Sequence, residues 1–426
     1  MHNSVFMSKK KNVSTIVSSG LCLGCGLCQD SCRKGCITIG QRNGCNIPRV
    51  EDLFCDECGI CCKICPGKGL PLEKIATELF SSDETLHDSH LGNYFSCYAG
   101  FSNNYEVCYH AASGGVISQF LIYLLEKRII NGAVVVGFMK DKPMQPRVFI
   151  AKNKKDILSA KSSKYCVVSY ENIVSELIEN EGKYVIVGLP CHIQAFRNYE
   201  RISKKLKSRI IGHFSLYCSA TKSLKSQDYI LQRYKINYSN ILTFSYRDEG
   251  CMGSMIIKDN NGKIVKQVEY LSYYLPLRGF FNLSRCALCI DHYGELADIS
   301  FGDLHVGKYK ENRIGISSLI TRNYYWNCLI NEAVQDGVIS IENIDPQLLK
   351  SAQQYVYKHK KGPGIVAAFF VRKCFGLRVP KYDSTFTSPL KFKFIIRELV
   401  NYTCRFIGRH QFLWFIIKVL DRNKLN

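Results

Sequence analysis

From residue 114 onward the chain alternates between two hydrophobic rhythms. "GGVISQFLIYLLEKRI" repeats its bulky apolar residues at helical spacing, and "GAVVVGF" just after it is a short unbroken apolar run. "KYVIVGLP" is a second such run and passes into "CHIQAFRNY", which has helical spacing again; "RIIGHFSLYC" is a third run. Apolar runs of that length predict strands covered on both faces, and the helical stretches between them predict a mixed α/β domain over residues 96–345. "SMIIKDNNGKIVKQVEY" reads as a hairpin turned at Asn261-Gly262. Residues 71–95 read as a short helix and a polar connector, and residues 346–426 as mainly helical.

The first 75 residues follow neither rhythm, and cysteine organises them instead. Of 22 cysteines in 426 residues, eleven fall between Cys22 and Cys65. The opening "MHNSVFMSKKKNVSTIVSSG" has no apolar core of the kind a secretory leader carries, so a cytoplasmic location is expected. There, clustered thiols hold metal more often than they form disulfides. "LCLGCGLCQDSCRKGC" and "FCDECGICCKICPGKG" each write C-x2-C-x2-C-x3-C. Two residues between cysteines let one tight loop offer thiolates to different irons of a cubane. Gly24, Gly26 and Gly59 supply the backbone dihedrals this needs and leave N–H groups facing sulfur. In two-cluster ferredoxins the fourth cysteine of each run serves the other cluster. On that rule Cys22, Cys25, Cys28 and Cys65 hold one 4Fe-4S cluster, and Cys55, Cys58, Cys61 and Cys32 hold a second. Zinc knuckles use two C-x2-C pairs and do not need these triplets. Cys36, Cys45 and Cys62 are left over as structural thiols. Pro66 follows Cys65 as the bacterial pattern expects, whereas Arg33 stands after Cys32.

Four patterns in the α/β domain carry further chemistry. In "HAASGGVISQF", Ser113, Gly114 and Gly115 open a helix whose free N–H groups suit an anion such as a flavin diphosphate, and suit an ordinary cap equally. In "KSSKYCVVS", Ser163, Lys164 and Tyr165 offer a cation and a ring to a flavin, or form a surface loop. In "VGLPCHIQAF", Cys191 stands at a helix start, where a thiol pKa falls; it serves as ligand, nucleophile or inert core thiol. "RCALCIDHYGELADISFGDLHVG" supplies Cys286 and Cys289, and a third cluster would need two more ligands, for which Cys191 and Cys218 are best placed at strand ends.

Through "ASGGV", "SKY", "GLPCHIQAF" and "CALCIDHYGELADISFGD" the chain resembles the beta subunits of coenzyme F-420-reducing hydrogenases and the related F-420 dehydrogenases, over most of residues 20–345. The resemblance implies an α+β protein: a bacterial-type two-cluster ferredoxin module (1–75), a mixed α/β domain binding FAD and iron–sulfur (96–345), and a helical basic tail (346–426). It makes Cys191, Cys218, Cys286 and Cys289 the ligands of a third 4Fe-4S cluster. It makes Ser113, Gly114, Gly115, Ser163, Lys164, Tyr165 and Asp303 flavin contacts. The function expected is that of an iron–sulfur flavoprotein oxidoreductase. Electrons would pass from ferredoxin or another low-potential donor through the clusters to FAD, and on to a small-molecule or lipid-linked acceptor, with polysaccharide synthesis as one setting. The alternative is an electron-transfer subunit of a hydrogenase- or dehydrogenase-type complex with no substrate of its own. Cys191, His192 and Tyr165, with His305, are the candidates for catalysis and proton delivery. No residue announces F-420 itself as the acceptor.

Charge changes this picture at one end only. The formal net charge is +21, and three clusters at about −2 each would bring it to about +15. From Lys358 to Asn426, fifteen Lys and Arg face three Asp and Glu. Phe392, Ile395, Ile396, Leu399 and Tyr402 keep helical spacing there, with Lys391, Arg405, Arg409 and Lys418 as cations and Trp414 and Phe415 as boundary aromatics. Such a helix either lies on anionic lipid, making the protein peripheral on the inner face of the cell membrane, or packs on its own core. Nucleic acid is not an expected partner, because the charge lies on a helix with a wide apolar face.

Overall fold

The computed structural model describes residues 11–82 and 84–422; the opening residues 1–10, part of the stretch without a leader-like core, lie outside the described residues, as do 83 and 423–426. An eight-stranded sheet runs in the order Ile339–Asn343, Ser96–Ser102, Ser317–Thr321, Ile299–Asp303, Ile210–Leu216, Tyr184–Gly188, Gly132–Phe138, Pro146–Ala151. The strands 132–138, 184–188, 210–216 and 299–303 form a parallel centre, and antiparallel pairings extend it on both sides. Along Gly132–Phe138, Val134 joins Ile193 and Phe196 on one face, while Ala133 and Val135 join Phe120 and Trp326 on the other. Tyr184–Gly188 splits the same way, Ile186 against Val185 and Val187. Both faces are covered by helices, so every position is apolar and the strands read as continuous runs.

The cysteine-rich segment docks on one helical layer. Leu27, Ile64, Leu70 and Leu72 share a core with Ile186 and Phe196. The Tyr199 hydroxyl donates to the Asp30 carbonyl at 2.8 Å, and the Asn198 amide to that of Ile64 at 3.3 Å, both from helix Pro190–Glu200. The segment carries its own hairpin, Ile37–Arg42 with Cys45–Val50, turned at Asn43 and Gly44, both with positive φ. A short helix, Leu72–Phe80, and a two-strand hairpin, Leu86–Asp88 with Gly92–Tyr94, fill the connector. The three-stranded sheet Ile241–Asp248, Ser254–Asp259, Ile264–Glu269 contains the hairpin expected at Asn261-Gly262.

A buried ionic knot fastens helix Pro190–Glu200 to the sheet. His213 sits with Nε2 at 2.6 Å from Glu200, its backbone N–H donates to Asp298 at 2.8 Å, and Arg197 donates to Asp298 at 3.0 Å. Burial and Arg197 push the His213 pKa down, but Glu200 and Asp298 outweigh them and hold it above its ordinary value. His213→Gln, which leaves the carboxylates short of a partner, should cost about 3–5 kcal/mol, read as a fall in denaturant midpoint. Because the folded pKa is raised, the imidazolium's share is full below about pH 6.5 and is lost as pH rises through the folded value. The gap between wild type and variant should therefore narrow above that pH.

Helices Pro346–Ala352, Gln354–Lys360, Pro363–Cys374, Phe392–Arg409 and Trp414–Arg422 make up the tail. Two residues expected on its solvent side are inside. Trp414 is 1% exposed, its indole N–H donating to the Gly408 carbonyl at 3.0 Å and its ring packing on Tyr229 and Phe281. Arg405 is buried against Glu398 at 2.7 Å. Periodicity predicts the helix but does not say which of its faces meets the protein. Among the described residues no helix is long and apolar enough to cross a membrane.

Candidate functional site

Cys22, Cys25, Cys28 and Cys65 line one small cavity, with Leu23, Gly24, Gly26 and Pro66 in its wall. Gly24 and Gly26 have φ of 72° and 80°. Added side chains would strike Val167 and Asn46 at Gly24, and Ser169 at Gly26, so the loop needs glycine for both conformation and close approach. The Gly24 N–H points at the Cys22 sulfur at 3.4 Å. Burial, and then the neighbouring thiols, push Cys25 and Cys28 up; burial and Cys22 bring Cys65 to about 11. Without metal these sulfurs hold their protons, and ligation must displace them.

The second N-terminal set is gathered differently. Cys32 lies 3.3 Å from Cys36, Cys36 is influenced by Cys55, and Cys58 is influenced by Cys61. Two of the thiols expected to be merely structural thus stand among the expected ligands: Cys36 beside Cys32, and Cys62 beside Cys61 and Cys65.

Cys191, Cys218, Cys286 and Cys289, nearly a hundred residues apart at the extremes, line a second small cavity with Leu23, Leu189, His192, Asp291 and Lys360. Leu23 belongs to both cavities. Cys191 follows strand Tyr184–Gly188 and Cys218 follows Ile210–Leu216, so both sit beyond carboxyl ends of parallel strands, where α/β sheets open their crevices. At Cys191 burial overrides the helix terminus and raises the thiol; the other three cysteines add to it. Among the described residues no three His, Cys, Asp or Glu converge as a single metal ion needs. Four sulfurs spaced around a cavity suit a larger inorganic core.

Two buried cations flank this set: Lys360 comes from the distant tail, whereas Arg285 stands next to Cys286 in the sequence, where nothing marks it as buried. Lys360, from the tail, lies 3.3 Å from the Cys289 sulfur and donates to the Asp291 carbonyl at 2.7 Å. Burial lowers its pKa, but Cys289, Cys218, Cys286 and Asp291 outweigh that and hold it charged. Arg285 donates to the carbonyls of Gly67 at 2.7 Å and Leu288 at 2.9 Å, bridging the two sulfur sets. If a cluster occupies the cavity, Lys360→Met should lower its midpoint potential, by about 60 mV for each 1.4 kcal/mol of lost charge stabilisation. An anaerobic redox titration followed by electron paramagnetic resonance reads that shift.

The flavin candidates divide. Tyr165 joins a tyrosine group, 5.6 Å from Tyr270 and 4.7 Å from Tyr274 between centroids. Arg247 lies 4.7 Å over the Tyr270 ring, 3.5 Å from the Tyr165 hydroxyl and 2.6 Å from Asp303, and its buried Nη2 has no partner among the described residues. Tyr165 and Asp303 therefore meet through an arginine the motifs did not name. Ser163 is half-buried in the same loop. Asp303 pairs in register with Ser317, whose hydroxyl lies 3.3 Å from that of Ser113. Ser113 also donates to the Ile316 carbonyl at 2.8 Å, Gly114 is pressed against Gly100 and Ser317, and Gly115 enters helix Val116–Glu126 with φ 72°. Lys164 turns back on its own loop, donating to the carbonyls of Ala160, Lys161 and Ser162, and burial lowers it to about 7. Lys222 stands between the regions: its ammonium is 3.9 Å over the Tyr274 ring, and it feels Cys218 and Cys286 from the other side. His192 is buried and neutral, its pKa lowered to about 3, with Nδ1 accepting from the Leu189 N–H at 3.2 Å. His305 keeps Nδ1 buried and without a partner among the described residues.

Residues 97–175 match the family model "Coenzyme F-420 hydrogenase/dehydrogenase, beta subunit N-term", and residues 181–347 match the corresponding C-terminal model. The beta subunit of the coenzyme F-420 hydrogenase of Methanosarcina barkeri is 26% identical over 308 residues, covering 69% of this chain and 99% of that protein. The F-420-dependent sulfite reductase of Methanocaldococcus jannaschii is 25% identical over 315 residues, 68% of this chain but 43% of the reductase. One subunit of the F-420H2 dehydrogenase of Methanosarcina mazei is 21% identical over 304 residues, 68% of this chain and 78% of the relative. The structure of the xenon-derivatised F-420-reducing NiFe hydrogenase complex of M. barkeri contains a similar fold: TM-score 0.53 and 23% identity, over 69% of this chain and 98% of that one.

Proposed function

The chain belongs to the family of coenzyme F-420 hydrogenase/dehydrogenase beta subunits and is an oxidoreductase, and from that premise we propose that it is the electron-transfer subunit of a larger redox complex. In this reading it holds 4Fe-4S clusters on its cysteine sets and FAD at Tyr165, Arg247 and Asp303. The observation that carries the reading is the closing of eight dispersed cysteines into two cavities with Leu23 as common wall. Relatives named as subunits of a hydrogenase and of a dehydrogenase favour a protein partner over an enzyme complete in itself.

Bound, the cubanes would supply one-electron carriers, and the flavin the exchange between one- and two-electron chemistry. The chain's own residues define the rest. Cys22, Cys25, Cys28 and Cys65, and Cys191, Cys218, Cys286 and Cys289, are the proposed ligands of two clusters, with Cys32, Cys55, Cys58 and Cys61 for a third. Lys360 and Arg285 keep positive charge against sulfur, while Leu23 and Leu189 exclude water between the sites. Arg247 offers an anion an N–H that has no partner among the described residues, and Tyr165 and Tyr270 offer ring faces. The proposed donor, a ferredoxin-like protein, would approach at residues 52–58, where Leu53 and Phe54 stand exposed beside Cys55 and Cys58. An acceptor from polysaccharide synthesis rests on the resemblance alone.

Stoichiometric reduction with dithionite in an anaerobic cuvette tests the scheme. Uptake of about five electrons per chain is expected, three by cubanes and two by flavin. Three would remove the flavin, four would remove one cubane, and none would end the reading. The isolated chain should turn over no organic acceptor; steady turnover without a partner would make it a complete enzyme.

A further inference from the structure

The long tail helix, Phe392–Arg409, has a buried face and an exposed one. One carries Phe394, Glu398, Arg405 and Gly408 and is buried. At Gly408 the helix lies so close to the Phe280 backbone that no side chain would fit. The opposite face is apolar and stands exposed. Phe392, Ile396, Val400 and Phe406 recur every four to six residues on it, and Phe392 is 74% exposed. The stripe continues past the helix end through the rings of Phe406, His410 and Phe412, at successive centroid distances of 4.3 and 5.8 Å, and on to Phe415. Phe412 is 73% exposed.

Cations edge this stripe on both sides. At about 100° per residue, Lys393 and Arg397 fall along one edge, Lys391 and Arg409 along the other, and all four are exposed. The tail's acidic groups do not neutralise them. Asp383 accepts the backbone N–H groups of Glu73 and Lys74, Glu398 pairs with Arg405, and Asp421 pairs with Arg233. A linear aromatic stripe with uncompensated basic edges has the anatomy of a helix lying in a lipid headgroup layer.

We propose that the outward face of residues 391–415 seats the protein on an anionic membrane surface, the rings entering the headgroup layer and the four cations meeting lipid phosphates. The proposal is independent of the redox reading, since no residue of the stripe touches a cysteine set. Both family models end by residue 347, so this surface is an addition to the matched family region.

The full chain should co-sediment with vesicles containing phosphatidylglycerol and much less with pure phosphatidylcholine, and binding should weaken as salt is raised. The triple variant Phe392→Ser, Phe406→Ser, Phe412→Ser, and separately Lys391→Gln with Lys393→Gln, should each weaken binding about tenfold or more. These side chains are exposed, so an unchanged thermal unfolding curve separates lost binding from lost folding. A chain that stays in the supernatant with anionic vesicles overturns the proposal. So does binding that the folded variants leave unchanged, or a stripe shown by gel filtration to be covered by a second copy that the triple variant releases.

Discussion

Replacing Cys286 and Cys289 together by serine should remove one cubane's four irons, so that an anaerobically prepared chain expected to carry about twelve keeps about eight. These two thiols are half the proposed ligand set of the inner cavity. The remaining two, Cys191 and Cys218, arise on different elements, each fixed by its own strand. Two serine oxygens in place of sulfur would leave a soft iron–sulfur core half-held beside water, and such a core is lost. The outer cavity keeps all four of its own cysteines and its glycine-dependent loop. Absorbance in the 400 nm region should fall by about a third, in step with iron and acid-labile sulfide. The substitution changes one atom in each side chain and adds no bulk, so the eight-iron product should remain folded. An unaltered iron count would remove both residues from the ligand set, and loss of all iron would show that the inner cavity is needed to build the outer one.

Much of this architecture can be read from the chain alone, because local rules agree with global ones wherever elements are short and buried. "GAVVVGF" becomes strand Gly132–Phe138 residue for residue, and Asn261-Gly262 turns the hairpin it promises. The spacing of the first cysteine run is legible in a narrower sense: its Cys22, Cys25 and Cys28 do line one cavity with Cys65. What escapes is whatever depends on segments meeting from afar. Nothing in "YVYKHKKGPG" marks Lys360 as a buried cation 3.3 Å from a sulfur more than seventy residues earlier. Nothing in "TFSYRDEG" marks Arg247 as the joint between Tyr165 and Asp303. The glycines of "ASGGV" illustrate the reverse case. An anion-binding helix start and a close helix-to-sheet contact need the same residues, and Gly114 makes the second. The alternation of aromatic and basic residues along the last helix puts Trp414 outside, and only the fold shows Tyr229 and Phe281 waiting to receive it.

Arg247→Met should abolish flavin retention while leaving iron untouched. The guanidinium is 2% exposed at its side chain and stands where a ring stack and a carboxylate converge. Two of its contacts are internal, to the Met252 carbonyl at 2.7 Å and to Asp303 at 2.6 Å, which leaves Nη2 without a hydrogen-bond partner among the described residues. A buried cation with an unused N–H is costly unless something accepts it, and a phosphate or a flavin ring carbonyl would do so. Removing one partner of a buried charge-assisted contact costs about 2–5 kcal/mol, or about thirtyfold to several thousandfold in affinity. Flavin released by heat from the variant should therefore drop from about one per chain to a few hundredths. Methionine fills much of the volume, and Asp303, which is 42% exposed, can turn to water, so the fold should survive the change. Iron is the internal control because Arg247 contacts no cysteine of either cavity. Tyr165→Leu, which removes a ring and no charge, should give a smaller loss in the same assay. If Arg247→Met retains full flavin, the cofactor lies elsewhere on the sheet's carboxyl edge; if both variants lose iron as well, the tyrosine group serves the cluster cavity and not a separate ligand.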